Sequence, residues 1–486
     1  MSAQEVAHPL LRHVNSTGPR SLVERVAQEI HRWLQADRVA AATRLPSVRE
    51  MATLRGVSPD TVARAYDKLV AQGLLEARRG SGFYVRAVAR KPVALERSPK
   101  GWSHSFSKWR ELVLRSTRPD ACLLGSGRLP ADWYDIGLIE RALRQAGRTP
   151  AAHLLRHGDP AGLAALRQQV ALLLAQENIH ADGEGLVITR GATDALHLVL
   201  QTFSSSATPV LIEDPCNFAL TERLASVNQP LVSIARQEDG PDLEQLRQLC
   251  IKHRPQLFFL SSLAHNPTAS SLSPSKAFQL LKLAEEFDLL LVDDDTYGDL
   301  VAPRGLSGAV RLAALDQLQR VIHIGSFSKL LGDGLRVGYA ATTPERAHML
   351  CLHKGALSIA SSELPERVVL RALTDGAYRH HADQVRARLD QRRSQVLAWL
   401  RRCGLSNWHE ATQGLYLWVD LGAGVDARLV AEGALASGVV LAPGLLFTVR
   451  DAWQSYVRLN VAAPFSEDEL RRLAALTVRI SGRKQR

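Results

Sequence analysis

The sequence predicts an α/β chain in two parts, a small winged helix-turn-helix at the N-terminus and a large doubly wound sheet after it. Three observations predict this. Helical apolar periodicity, followed by two short apolar runs around a glycine-rich turn, fills residues 20–86. From about residue 121, continuous apolar runs of strand length alternate with helical stretches, the pattern of a sheet buried on both faces. The third is size: 486 residues, 46% of them hydrophobic, suffice for such a core and a second domain.

In the first part, Leu22, Val26, Ile30 and Leu34 recur at helical spacing and make one apolar stripe. The hydroxyl of Ser47 can cap a second helix running through Val48, Met51 and Leu54, and Gly56 permits a tight turn. Ser58 then caps a third helix that turns Val62, Ala65, Tyr66 and Leu69 inward. Asp60, Thr61, Arg64 and Lys68 are left outward, near the start of that helix. A helix presented by its N-terminal end can enter a DNA major groove, where Arg and Thr reach base edges and phosphates. The segments Leu74–Ala77 and Phe83–Val85 flank Arg78-Arg79-Gly80-Ser81-Gly82, a hairpin wing whose cationic, flexible tip suits a backbone or minor-groove contact.

Charge agrees with this. The chain carries +11 overall; residues 1–104 hold 17 Lys/Arg against 9 Asp/Glu, a net of +8, which leaves +3 for the other 382. Such a concentration suggests a polyanion partner, although a solvated basic face has the same composition. The segment resembles the GntR family of bacterial regulators. The matching residues are Arg44-Leu45-Pro46-Ser47-Val48-Arg49-Glu50, Gly56-Val57-Ser58, Thr61-Val62, Arg64-Ala65-Tyr66, Leu69, Gly73-Leu74 and Arg79-Gly80-Ser81-Gly82. The resemblance implies that Arg49, Ser58, Thr61, Arg64 and Gly80 lie at the DNA surface, beside Arg79 of the wing. Pro59 stands where that family usually has a basic residue.

Residues 87–120 lack apolar periodicity and read as a linker between a domain at 1–86 and another at 121–486. In the latter, strands are expected at Leu186–Thr189, Val210–Glu213, Gln256–Ser261, Leu289–Asp293 and Val321–Ile324. Chemistry clusters at their ends. Ser326-Phe327-Ser328-Lys329 follows the last of these strands, and Arg336 comes seven residues after the lysine. A lysine at the end of a buried strand can form a Schiff base with an aldehyde cofactor, and hydroxyls with an arginine suit a phosphate. Gly191-Ala192-Thr193 opens a helix whose backbone N–H groups can cradle that phosphate. Asn266 can hydrogen-bond a phenolic oxygen, and Tyr297 can reach it too. Asp294 can pair with a protonated pyridine nitrogen, and Arg458 in a late strand can clamp a carboxylate. Each has a plainer reading: Lys329 and Arg458 as surface charges, Asp294 as a loop carboxylate, Asn266-Pro267 as a turn.

In this order and spacing the motifs resemble fold-type I, class I aminotransferases, from about 121 to 475. Gly158-Asp159-Pro160-Ala161-Gly162, Leu166-Arg167, Glu213-Asp214-Pro215, Ala442-Pro443-Gly444 and Phe447 match as well. The resemblance implies a large doubly wound mixed sheet with a small α/β subdomain, and pyridoxal 5'-phosphate as cofactor. It makes Lys329 the cofactor lysine and Asp294 the partner of the ring nitrogen. Tyr297 and Asn266 then contact the ring oxygen, and Ala192, Thr193, Ser326, Ser328 and Arg336 the phosphate; Arg458 takes a ligand carboxylate. Three departures stand out. Cys216-Asn217-Phe218 replaces the usual ring-stacking aromatic, leaving Phe218 as the candidate. Ala269 replaces a glycine. Asp333 replaces a common proline, and a carboxylate facing the phosphate would weaken its binding.

A GntR winged helix joined to such a domain is the arrangement of MocR/GabR-type regulators. It implies a homodimer that binds operator DNA and senses an amino acid, an amine or the cofactor itself. Two other readings stay open: a working aminotransferase with a DNA-binding appendage, and a regulator that has lost the cofactor and binds another ligand. No apolar run reaches the roughly 18 residues of a membrane span, no secretory leader is apparent, and the five scattered cysteines read as reduced thiols, without a metal site. A cytoplasmic protein is expected.

Overall fold

The computed structural model describes residues 21–36, 43–78, 81–86, 122–301, 310–410 and 412–484. The chain divides into two compact units, Met1–Lys100 and Gly101–Arg486.

The first unit contains helices α1 (Leu22–Ala36), α2 (Val48–Arg55) and α3 (Pro59–Ala71) and the hairpin β1 (Leu75–Arg78) and β2 (Gly82–Val85). Ser47 starts α2 through a reciprocal cap: its Oγ accepts from Glu50 N at 3.3 Å, and Glu50 Oε2 accepts from Ser47 N at 2.7 Å. Gly56, at φ +61°, ends α2 in the left-handed conformation that glycine adopts without strain. Ser58 Oγ then accepts from Thr61 N at 3.1 Å and starts α3. Val26, Ile30, Met51, Val62, Ala65, Tyr66, Leu69 and Leu75 form the buried core, and the Tyr66 hydroxyl donates to the Pro46 carbonyl at 2.9 Å. The apolar stripe is narrower than its sequence period. Leu22 and Leu54, at the ends of their helices, are exposed, because the small core does not reach that far. Leu74 belongs to the turn after α3, so β1 begins one residue later than expected. Arg79 and Gly80 at the wing tip, and the linker residues 87–120, lie outside the described residues.

The second unit is built on a mixed eight-stranded sheet in the order β3-β10-β9-β8-β7-β4-β5-β6. The strands are β3 (Leu186–Thr189), β4 (Val210–Asp214), β5 (Leu231–Gln237), β6 (Gly240–Pro241), β7 (Leu257–Leu260), β8 (Leu290–Asp294), β9 (Val321–Ser326) and β10 (Gly338–Ala341). From β9 to β5 all neighbours are parallel, while β10 runs antiparallel between β3 and β9. Alternate residues face opposite cores. Leu211, Phe258 and Leu291 join one apolar cluster; Ile212, Phe259 and Val292, their chain neighbours, join the other. Each such side chain, fully buried, contributes roughly 1.5–3 kcal/mol, which is why these strands read as unbroken apolar runs. A four-stranded antiparallel sheet forms the small subdomain from β11 (Ser406–Asn407), β12 (Tyr416–Asp420), β13 (Ala442–Pro443) and β14 (Tyr456–Asn460), in the order β11-β12-β14-β13. Among the described residues, no helix is long and apolar enough to cross a membrane.

Candidate functional site

The parallel strands β4, β7, β8 and β9 all end at the same edge of the sheet, where ligands of open α/β folds bind. There a cavity of about 210 Å³ opens. Ala192, Thr193, Phe218, Asn266, Asp294, Tyr297, Ser326, Ser328, Lys329, Arg336 and Arg458 all line it. Every cofactor and effector residue named from the sequence is thus on one wall or another of a single cavity.

Lys329 lies in the one-turn helix Ser328–Leu331 directly after β9. Its Nζ donates to the Gly127 carbonyl at 2.9 Å and lies 3.3 Å from Asp333 Oδ1. Asp333 also pairs with Arg128 at 3.1 Å. The carboxylate therefore addresses two cations of the cavity, Lys329 and Arg128, and its charge is offset there.

Asp294 ends β8. Its Oδ1 accepts from Thr296 Oγ1 at 2.5 Å and from Thr296 N at 3.2 Å, and its Oδ2 from Asn217 Nδ2 at 3.4 Å. The surrounding protein desolvates the carboxyl and pushes its pKa up, while these donors hold it down. A cation brought to Asp294 would favour the ionised form further. Tyr297 meets Tyr416, hydroxyl to hydroxyl, at 2.5 Å. Burial pushes the Tyr297 phenol up to about 12, against the lowering charge of Arg458, so near neutral pH it keeps its proton and can donate it.

Arg458 sits in the middle of β14, buried, with its guanidinium over the rings of Tyr416 and Phe447 at 4.3 and 4.8 Å. It donates to Asn266 Oδ1 at 2.7 Å and to the Gly125 carbonyl at 2.6 Å. Its Nε is buried with no hydrogen-bond partner, and among the described residues no carboxylate pairs with it. A buried cation in that state favours an incoming anion. The bond to Arg458 commits the oxygen of Asn266 and leaves Nδ2 as the donor of that amide.

The phosphate-type residues meet the same test. The helix Ala192–Phe203 has no side-chain cap, so its first N–H groups are available to an anion. Gly191 enters that helix at φ +84°, and a Cβ on it would come within 2.8 Å of the Arg336 guanidinium. Arg336 thus lies against a helix N-terminus, where a cation is unfavourable unless an anion lies between them. Ser328 Oγ is buried and without a hydrogen-bond partner. An uncapped helix start, an arginine on it and an orphaned hydroxyl are the donor set that a phosphate group satisfies; Asp294, Asn266 and Tyr297 are the set for a hydroxypyridine ring. The residues present fit pyridoxal phosphate.

Phe218, at the start of the helix Phe218–Ser226, packs edge-on against Phe447 at 5.7 Å and reaches the cavity from the β4 side. The sequence reading missed Gly127, Arg128, Asn217, Thr296 and Tyr416, which line the cavity as well. Thr296 sits inside a motif that was read. Asn217, with its side chain accepting from Ala219 N, carries the local mark of a helix cap. The others come from distant segments and carry no local mark.

In the first unit, Arg49 on α2 and Arg64 on α3 are exposed. Ser58 and Thr61 share a hydroxyl contact of 2.8 Å at the start of α3.

The profile of the class I and II aminotransferases matches residues 119–476, and that of the gntR family of bacterial regulatory proteins matches residues 22–85. The chain belongs to the class I and II aminotransferase family and carries a GntR domain. With both domains on one chain it is a DNA-binding transcriptional regulator, consistent with the MocR/GabR type. The regulator is 28% identical to the uncharacterized HTH-type transcriptional regulator YdcR of Escherichia coli K12 over 457 residues, 92% of this chain and 96% of that one. It is also 28% identical to the 2-aminoadipate transaminase of Thermus thermophilus over 390 residues, 75% of this chain and 93% of that one. The structure of LysN, an α-aminoadipate aminotransferase of the same organism complexed with N-(5'-phosphopyridoxyl)-L-leucine, shares the fold, with a TM-score of 0.68 and 24% identity over 78% of this chain and 98% of that one. Pyridoxal phosphate is the cofactor of the family.

Proposed function

We propose that the regulator binds pyridoxal 5'-phosphate at Lys329 and uses the occupied cavity to sense an amino acid, an amine or the cofactor itself. One observation carries the reading: eleven residues from six separate stretches of sequence line one cavity, and the polar atoms left unpartnered there are those the cofactor and a carboxylate would engage. In this reading Lys329 attaches the cofactor and Asp294 holds a proton on its ring nitrogen. Asn266 and Tyr297 donate to its phenolic oxygen, and Phe218 lies beside the ring. The N–H groups of Ala192 and Thr193 hold the phosphate with Ser326, Ser328 and Arg336. Arg458 receives the effector's carboxylate, which gives that cation the counter-charge it otherwise lacks. When bound, the group supplies an electrophilic carbon next to an electron-accepting ring. Regulation needs only occupancy, so binding is enough. A homodimer would place two DNA readers on a symmetric operator, with Arg49, Ser58, Thr61, Arg64, Arg79 and Gly80 at the DNA.

The test is optical. Protein mixed with pyridoxal phosphate should develop a visible absorbance band, and borohydride should fix the cofactor to Lys329 in a peptide found by mass spectrometry. Lys329→Ala should show neither. A saturated wild-type protein without band or adduct rules the reading out.

A further inference from the structure

Asp333 has no part in the roles just assigned, yet its carboxylate is paired with the lysine. Both its oxygens are engaged by cations of the cavity, Oδ1 by Lys329 Nζ at 3.3 Å and Oδ2 by Arg128 Nε at 3.1 Å. With the 2.9 Å bond to the Gly127 carbonyl, the lysine is held from two directions, by the loop after its own helix and by the Gly127–Arg128 segment. The Lys329 side chain is 12% exposed and that of Asp333 27%, while that of Arg128 is 68% exposed, so the Lys329 contact is the more sheltered of the two.

Asp333 is flanked by glycines. It stands between Gly332, at φ +94°, and Gly334, and a Cβ added at either glycine would meet nothing within 4 Å. Two flanking glycines leave the chain at Asp333 the conformational freedom to turn its carboxylate off the lysine, whereas a proline at position 333 would fix φ there.

We propose that Asp333, braced by Arg128, is a latch: it holds Lys329 as a paired ammonium in the cofactor-free protein and must release it before the cofactor is captured. This rests on the cofactor reading above. Capture joins the lysine nitrogen to the aldehyde carbon by a double bond. Two of the three ammonium hydrogens leave with the aldehyde oxygen as water, and the third passes to solvent. The nitrogen has no free electron pair while it is held as an ammonium, so every contact that favours the ammonium opposes capture. The latch makes occupancy slower and weaker than the cavity alone would allow, which suits a protein that responds to a change in its bound ligand. Asp333 is thus a positioning residue, acting through Lys329.

Cofactor-free wild type, Asp333→Asn and Asp333→Glu are mixed with pyridoxal phosphate, and the visible band is followed for rate and equilibrium. Asp333→Asn should capture faster and bind tighter by roughly threefold to tenfold, between the scales of exposed and buried charged contacts, and Asp333→Glu should stay near wild type. Pyridoxine phosphate, which has the ring and phosphate but no aldehyde, should bind wild type and Asp333→Asn within a factor of about two, because it leaves the lysine latched. If Asp333→Asn matches wild type in rate and affinity while the band forms, the latch is wrong and the cofactor reading stands. If pyridoxine phosphate tightens as much as pyridoxal phosphate, Asp333 merely repels the phosphate and the latch is again wrong. Absence of the band in all three proteins overturns the cofactor reading and the latch together. Melting temperatures of the cofactor-free proteins separate a change in packing, which would move them without moving the capture rate.

Discussion

Beneath the cavity, His323 on β9 is buried, 3.7 Å from Asp295 Oδ2. Burial, aided by the nearby Arg311 charge, holds its imidazole down at about 3, against an ordinary value of 6.5. The unfolded chain protonates this histidine below about 6.5, whereas the folded protein refuses the proton until about 3. The contribution of His323 to stability is therefore complete above 6.5 and falls away as the pH drops from 6.5 to 3. Asp293, two residues from the Asp295 that faces His323, acts in the opposite sense. Burial, with the Asp295 charge beside it, pushes its carboxyl up to about 7 from 3.8, so its contribution is present at low pH and is lost as the pH rises through that window. Comparison of variants isolates the histidine. His323→Gln should melt with a shallower decline than wild type between pH 6.5 and 4, followed by circular dichroism; an unchanged slope would show that His323 does not resist protonation.

At the scale of elements, the DNA-reading face we propose is made of α2 and α3 with the wing beside them. Arg49 and Arg64 are exposed on it, while the hydroxyls of Ser58 and Thr61 are partly occupied in starting α3. We therefore expect the arginines to carry more of the affinity than the hydroxyls. Arg49→Ala should weaken binding to promoter-proximal DNA by roughly 1–3 kcal/mol and flatten its salt dependence; equal affinities across a salt series would remove Arg49 from the interface. These elements were legible because their signals are local. Ser47, Glu50, Gly56 and Ser58 mark their own helix ends, and the buried strands β3, β4, β7, β8 and β9 declare themselves by short, mainly apolar runs. What the sequence hid is what arrives from afar. Tyr416 meets Tyr297 across 119 positions of chain, and Gly127 meets Lys329 across 202. Such pairs follow from how the small subdomain and the segment before it close over the sheet edge. Asp333 was visible as a departure, but its alignment with Lys329 and Arg128 needed three dimensions. Ala269 was a departure too: it takes φ +60°, a conformation that costs a non-glycine residue about 1–2 kcal/mol.

For the whole molecule, one chain carries a GntR domain at residues 22–85 and an aminotransferase domain at residues 119–476. A ligand of the second can alter DNA binding by the first only if it binds one state of the protein better than the other, and such couplings are typically 5–150-fold. The buried, uncompensated Arg458 and the latched Lys329 are the two places where a ligand carrying a carboxylate and an amine would change the charge balance. The deciding measurement is the affinity of the full-length regulator for promoter-proximal DNA, by fluorescence anisotropy, with and without pyridoxal phosphate and with a panel of amino acids and small amines added to the loaded protein. The account predicts that the cofactor or a member of the panel shifts the affinity at least about fivefold in wild type and leaves Lys329→Ala unmoved. Equal DNA affinity in wild type under every condition, with the cofactor demonstrably bound, would contradict it.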